Sequence, residues 1–371
     1  MKKILLLLTA LLPLAVVAQP ADGYYRILNN ASERYATISN DIVGEVNKSD
    51  TQADLSNIVT YRGFDKVKSN PASILYIRNV NGQYDLAAQG TSIYKIAGGR
   101  TYVDLLQRTD DIYLISVTHG GFHGNLQDSP DSRERGSVSH ASRTDPYQYW
   151  RIIPIDTENN YIGLQPVAEA ADGWYGTIYA EFPFKLVSEG ITVYYVDGVK
   201  QGQFQLKEIT DEIKPGATPL VFKCSSNDPA NNKIQPVFTN TTTPTDNMLL
   251  GTYFACETNG HEQYVEYNKN TMRVLGVDAD KNLVLTTAST SYLANEWLIP
   301  ANTCYLKVPE GLSGDFKRVD RDTYTGISNI EASLPKPAQK GTYTLTGVRV
   351  DNSKTLRPGV YIRDGKKVII K

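Results

Sequence analysis

Apolar and polar positions alternate along this chain in short runs, and no long stretch repeats with the 3.6-residue period of an amphipathic helix. From Gly23 the sequence reads GYYRILNNASERYATI, then SILYIRNVNGQYDLAAQG, DIYLISVTHGGFHGNL and QYWRIIPIDTENNYIGLQP. Each segment is a strand-forming run, a polar turn and a second run, recurring at roughly 35 to 50 residues, which argues repeated β-hairpins. Two stretches break the pattern. DLSNIVTYRGFDKV, from Asp54 to Val67, spaces Leu55, Ile58 and Val59 nearly helically after an Asp and predicts a short inserted helix. Asn125 to Asp145 is rich in Asp, Ser, Arg and Gly and predicts a polar loop.

A second region begins near Tyr179, with FPFKL, ITVYYVDGV, FQLKEI and ATPLVFKC, and later LLGTYFAC, QYVEY, TMRVLGV, LVLTT and TCYLKV. Strands alternate there with Gly, Asn and Asp turns at roughly ten-residue spacing, the expectation for a β-sandwich. Ile213 to Phe222 (IKPGATPLVF) and Ile299 to Val308 (IPANTCYLKV) share a Pro-led turn, a Thr and a strand, so the region reads as two related halves. The polar tract TNTTTPT, Thr239 to Thr245, links them. Residues 327–341 carry two prolines and no apolar period and form a linker. The last segment, from 342 to 371, has three apolar runs separated by Arg357-Pro358-Gly359 and Asp364-Gly365, a small β module with turn chemistry between its strands.

Three resemblances follow from these residues. The pairs Tyr25 with Ile27, Tyr76 with Arg78 and Trp150 with Ile152, each followed by a hairpin turn and a second strand, resemble the ricin-type β-trefoil unit, and Gln148-x-Trp150 looks like its Gln-x-Trp. That Gln-x-Trp occurs once, where a full lectin trefoil tends to carry it in each repeat; an irregular β-sandwich is the alternative. Leu-x-Gly-x-Arg-Val, Gly-Val-Tyr-Ile and the closing GKKVIIK resemble the C-terminal sorting domains of proteins exported by type IX secretion in Gram-negative anaerobes; an ordinary terminal hairpin is the alternative. The whole succession is similar to secreted multi-domain β proteins of such anaerobes, a likeness that brings no catalytic residues with it.

The expected architecture is therefore all-β: a leader over 1–18, a β-trefoil-like domain over 19–176, a β-sandwich over 177–326, the linker, and the C-terminal module over 342–371. Lys2 and Lys3, the apolar run Ile4 to Val17 and the small residues Val16 and Ala18 before Gln19 read as a secretory signal peptide. No cysteine follows it, which argues against a lipoprotein anchor, and no other run is long enough for a transmembrane helix. Removing the leader leaves 36 basic and 40 acidic residues, a charge of -4 that does not suit nucleic acid.

Candidate chemistry is sparse. Gly-x-Ser-x-Gly, His-Glu-x-x-His and phosphate-cradling Gly-Lys-Ser/Thr are absent, so no catalytic residues and no cofactor are assigned. His119-Gly-Gly-Phe-His123, with His140 and Asp128, lacks a defined third ligand and reads as solvated loop histidines, leaving no metal assigned. Asp110-Asp111 and Asp211-Glu212 read as solvated turn acids rather than the two spaced carboxyls of a glycosidase. A sugar site needs an aromatic platform beside an Asp or Asn, and Tyr84, Asp85, Trp150, Tyr161 and Trp174 are the candidates. Cys224 and Cys256 end strand-like runs on either side of TNTTTPT and are the expected disulfide; Cys304, inside a strand, is expected to be a small buried residue. The function expected is recognition at the cell surface, with a glycan first and a surface protein second as ligand, and the export machinery as partner of the C-terminal module.

Overall fold

The computed structural model describes residues 19–38, 59–93, 95–96, 99–100, 102–109, 111–119, 122–128, 136–140, 145–200, 202–239, 241–255, 264–308, 313–325, 342–344, 349–350, 359–363 and 366–370. The leader, Cys256 and the linker lie outside them. The class is all-β: among the described residues the only α-helices are α1 (Phe64–Val67) and α2 (Arg321–Thr325). The chain divides into two compact units, 1–320 and 321–371.

The first thirteen strands are β1 (Gly23–Asn29), β2 (Tyr35–Ile38), β3 (Val59–Arg62), β4 (Leu75–Val80), β5 (Gln83–Ala88), β6 (Thr91–Ser92), β7 (Lys95–Ile96), β8 (Gly99–Arg100), β9 (Asp104–Thr109), β10 (Ile112–His119), β11 (Phe122–Asp128), β12 (Gly136–His140) and β13 (Tyr149–Pro154). Six of them close a ring. β1 pairs with β4 and β4 with β5; a bridge from Tyr84 to Val103 leads from β5 to the head of β9; β9 pairs with β10, β10 with β13, and β13 returns to β1. Period-2 alternation fills the ring, since Leu75 and Ile77, Tyr84 and Leu86, and Tyr113 and Ile115 all point into one core with Ile27 and Trp150. Off the ring stand the pairs β2–β3, β7–β8 and β11–β12.

Two expectations are corrected here. Within the segment expected to be a helix, Val59 to Arg62 form β3, because Val, Thr and Tyr pair across to Tyr35–Ile38, and among its described residues the helical ones are Phe64–Val67. The described part of the expected polar loop is mostly paired strand: Asn125–Asp128 end β11 and Gly136–His140 pair back on it. Asp128 is fully buried and accepts hydrogen bonds from Arg34 and Ser32, which fastens β11 to the β1–β2 turn.

Arg26, on the outer face of β1, is also fully buried. Its Nε donates to Ser73 Oγ (3.0 Å), Nη1 to Asn160 Oδ1 (2.9 Å) and the Tyr161 carbonyl (2.8 Å), and Nη2 to the Val67 carbonyl (3.0 Å). Burial draws its pKa down to about 9, so it remains a cation at neutral pH.

The next fourteen strands are β14 (Ile162–Gly163), β15 (Ala168–Ala170), β16 (Gly173–Ile178), β17 (Phe184–Leu186), β18 (Thr192–Lys200), β19 (Gln203–Glu208), β20 (Ile213–Lys214), β21 (Leu220–Cys224), β22 (Lys233–Pro236), β23 (Leu249–Thr252), β24 (Met272–Val277), β25 (Leu283–Thr286), β26 (Thr303–Lys307) and β27 (Phe316–Arg318). β14, β22, β17 and β20 form a four-stranded sheet, and the others a ten-stranded sheet. Within the large sheet the order β16-β21-β18-β19 recurs as β23-β26-β24-β25, and β27 lies between β19 and β25, parallel to the first and antiparallel to the second. Each half carries a Pro-led turn with a left-handed third residue, Ala217 (φ 49) in one and Asn302 (φ 57) in the other.

Leu220–Cys224 shows why such strands read as continuous apolar runs. Val221 faces the core shared by the two halves, whereas Leu220, Phe222 and Cys224 face the core under the four-stranded sheet. β27 is pinned from outside by Asp172, whose carboxylate accepts from Arg318 (2.9 Å), Lys223 (3.1 Å) and Tyr175 (2.9 Å). Partial burial opposes ionisation of Asp172, but these donors prevail and hold its pKa down to about 2. The expected border at 176/177 falls inside β16, whose Trp174 to Ile178 pair with β21; the change of sheet comes instead between Pro154 and Ile162.

In the second unit, β28 (Thr342–Thr344), β29 (Arg349–Val350), β30 (Gly359–Arg363) and β31 (Lys366–Ile370) form an antiparallel sheet in the order β29-β28-β30-β31.

Candidate binding surface

The five residues expected to form a sugar platform do not form one. Trp150 is fully buried, with Nε1 donating to the Leu126 carbonyl at 2.9 Å. Tyr84 is a wall of the ring core and donates its hydroxyl to Gln19 Oε1 at 2.6 Å. Asp85, buried beside it in sequence, accepts from Ser92 Oγ at 2.8 Å and faces Arg78 at 3.4 Å. Tyr161 is buried edge-on to Phe64 at 5.3 Å, and Trp174 packs half-buried against a different core. A ring whose faces are covered by protein cannot stack on a pyranose; Tyr84 and Trp150 share the ring core, and Trp174 packs against another. Gln148 is likewise internal, held between Asn125 and Gln127.

The other candidates are placed as follows. Cys224 is a buried free thiol whose Sγ lies 3.2 Å from the Ser226 carbonyl, rather than half of a disulfide; its expected partner Cys256 is outside the described residues. Cys304 is buried, as its place in a strand suggests, and burial drives its thiol pKa up to about 12. His123 meets Thr118 across the β10–β11 hairpin at 2.9 Å, the side chains of His119 and His140 are outside the description, and Asp128 is taken up by Arg34. Asp211 and Glu212 are exposed, with Glu212 paired to Lys185 at 2.7 Å.

An exposed indole with a half-buried tyrosine beside it stands elsewhere, between β23 and β26. Ala294 and Leu298 exchange backbone hydrogen bonds of 3.0 and 2.9 Å and lift Asn295, Glu296 and Trp297 into solvent as a three-residue tip. Asn295 (φ 50) and Glu296 (φ 68) are both left-handed without being glycine; Asn visits that region readily, whereas Glu does so at a cost of about 1 to 2 kcal/mol that the surrounding structure has to offset. Trp297 is 37% exposed, and Tyr264 stands nearly edge-on to it with ring centroids 5.7 Å apart. The Tyr267 N–H donates to the Trp297 carbonyl (2.9 Å) and the Ile299 N–H to the Val265 carbonyl (2.9 Å), so the tip is anchored to segment 264–267. Below it Met272, Val274, Ile299 and Tyr305 make a small apolar cluster that holds both segments.

Counting back from the aligned Ile213 and Ile299, the first half has exposed Asp211 where the second has Trp297. The settings differ, since Ile213 lies on β20 of the four-stranded sheet and Ile299 lies outside the strands.

Two cavities among the described residues bear on the tip and the ring. One, of about 720 Å³, adjoins the tip through Tyr267 and Leu293. The other, of about 340 Å³, lies between the ring and the large sheet. Its amides serve the fold: Asn302 Nδ2 donates to Asn70 Oδ1 at 3.1 Å, and Gln89 bonds both Asn302 and the Tyr179 carbonyl.

No family model and no curated protein matches the chain. Among solved structures it is similar to one described as the crystal structure of Cry35Ab1, at 11% identity over 62% of this chain and 80% of that one, with a TM-score of 0.26. A likeness of that size carries no argument.

Proposed function

We propose that this is an exported recognition protein that binds a glycan through Trp297, with no catalytic role. The observation that carries the reading is an exposed indole, presented on a left-handed tip with Tyr264 edge-on to it, where the sequence alignment of the two halves puts Asp211 in the other. An indole face accepts the C–H face of a pyranose, and the adjacent Asn295 amide and Glu296 carboxylate supply the donors and acceptors that orient hydroxyls. The ring of six strands with its three outlying hairpins is read as a β-trefoil, and the large sheet with its shared core as a sandwich of two related halves. Both serve as scaffolds for the tip.

Trp297→Ala, in the mature chain, is expected to weaken binding to a responsive oligosaccharide about thirtyfold, the loss of roughly 2 kcal/mol typical of an aromatic anchor, with the thermal midpoint unchanged. Isothermal titration against the best ligand from a glycan array checks this. Unchanged affinity in the variant, or an array without any bound glycan alongside capture by a purified surface protein, would remove the glycan reading.

Export and attachment are part of the same proposal. Leader and C-terminal module act in turn: the first takes the chain across the inner membrane, and the second is gripped by a later machine. A four-stranded sheet of short strands has little core of its own, which suits a segment that another protein holds. A chain ending at residue 340 is expected to accumulate in the periplasm of the native host. Its appearance at the surface or in the medium at the full-length level would overturn the sorting role.

A further inference from the structure

One contact of the ring involves a residue that removal of the leader would change chemically. Gln19 follows Val16 and Ala18, the small residues that mark the expected cleavage point, so cleavage there makes it the N-terminus. Its side chain is held by the ring. Gln19 Oε1 accepts from the Tyr84 hydroxyl at 2.6 Å, and Tyr84 is 3% exposed, with its own N–H and carbonyl both bonded to Val103 at 2.8 Å. The residues that follow are fastened too. The Tyr25 hydroxyl donates to the Ala21 carbonyl at 2.9 Å, and the Asn79 N–H donates to Asp22 Oδ1 at 2.8 Å. Residues 19–22 are therefore tied to β1, β4 and β5, while Gln19 itself stays exposed to solvent.

A glutamine at a free N-terminus is a reactive group. Its α-amine and its side-chain carbonyl carbon can close a five-membered ring, and with an α-amine pKa of about 7.7 to 8.0 part of the amine is an uncharged nucleophile at neutral pH.

We infer that the mature N-terminus is a pyroglutamyl residue formed from Gln19 and seated on the Tyr84 hydroxyl. This rests on the leader reading above and names the product of cleavage. In the step that makes it the α-nitrogen bonds to Cδ, the Cδ–Nε2 bond breaks, and the amide nitrogen leaves as ammonia, taking up a proton from the attacking amine. No oxidant or co-reactant is consumed. Oε1 stays on Cδ as the lactam oxygen, so the acceptor that Tyr84 grips survives ring closure. A donor at that oxygen also stabilises the negative charge it gains as the amine attacks. Pro20 gives the closed ring a use, since an open Gln-Pro terminus suits peptidases that grip a free α-amine and remove a dipeptide ending in proline. A lactam offers them no amine.

The test takes the chain from its native host and digests it with trypsin, with a synthetic 19–26 peptide carried alongside to report closure during handling. Mass spectrometry is expected to find the protein's 19–26 peptide lighter by one ammonia and the synthetic peptide open. Urea unfolding then tests the seat. Tyr84→Phe is expected to lower the folding equilibrium constant about two- to tenfold more in the wild-type chain than beside Gln19→Ala, the contribution of one hydrogen bond. A 19–26 peptide with its amide intact overturns this inference and leaves the leader reading standing. A closed ring with equal effects of Tyr84→Phe in both backgrounds overturns the seat on Tyr84. A chain that keeps residues 1–18, or begins elsewhere, overturns the leader reading and this inference with it.

Discussion

Arg26→Ala is expected to cost several kcal/mol, at about 1 to 3 kcal/mol for a buried acceptor left without its donor. The guanidinium reaches four acceptors on three separate segments: Val67 at the end of α1, Ser73 before β4, and Asn160 and Tyr161 in the connection that leaves the ring. Truncation leaves those acceptors buried without their donors. It also opens a void against Phe64, whose ring centroid is 5.5 Å from the guanidinium carbon. Arg26→Lys keeps the charge but supplies one compact ammonium where a planar fork spans three directions, so it should recover only part of the loss. Urea unfolding followed by tryptophan fluorescence checks both variants. A midpoint for Arg26→Ala equal to wild type would show that the connection holds without this residue.

Phe316→Ala is the second large effect. Phe316 is 1% exposed and sits on β27, the three-residue strand that joins the two halves of the large sheet. It pairs with Leu285 on one side, while its neighbour Lys317 pairs with Gln203 on the other, so its ring fills the core shared by both halves. Loss of a buried phenyl costs about 3 to 5 kcal/mol. Weakened pairing at β27 should also bare the edges of β19 and β25, and exposed edges pair with other chains. Lower stability together with concentration-dependent aggregation, measured by denaturation and light scattering, is the expected result. Lower stability with a monodisperse chain would mean that β27 fills the core without guarding the edges.

The sequence conveys the class of this fold more fully than its borders. Strand runs such as LVFKC and TCYLKV are legible because period-2 and continuous apolar runs have few other uses. The shared Pro-led turns also point to the duplication, and the recurrent strand order agrees with them. A border near 176 falls within β16, which closes one segment of alternating residues while pairing with β21, some forty-five residues later. Such long-range pairing leaves no local signature. The site was harder still. Aromatic residues in strands serve core and surface alike, so Trp150 and Trp297 look equivalent as letters, and only burial separates them. The tip that exposes Trp297 contains no glycine, so the usual sequence sign of a left-handed turn is missing at Asn295 and Glu296.

The ring closes only when Tyr149–Pro154 reaches Gly23–Asn29, and the large sheet only when Phe316–Arg318 slides between its halves. Each closure joins segments more than a hundred residues apart. Loop closure of that span is slow compared with local hairpin formation. A chain made from its N-terminus can close the ring once Pro154 is present, whereas the large sheet has to wait for Arg318, so two parts of one compact unit become foldable at widely separated times.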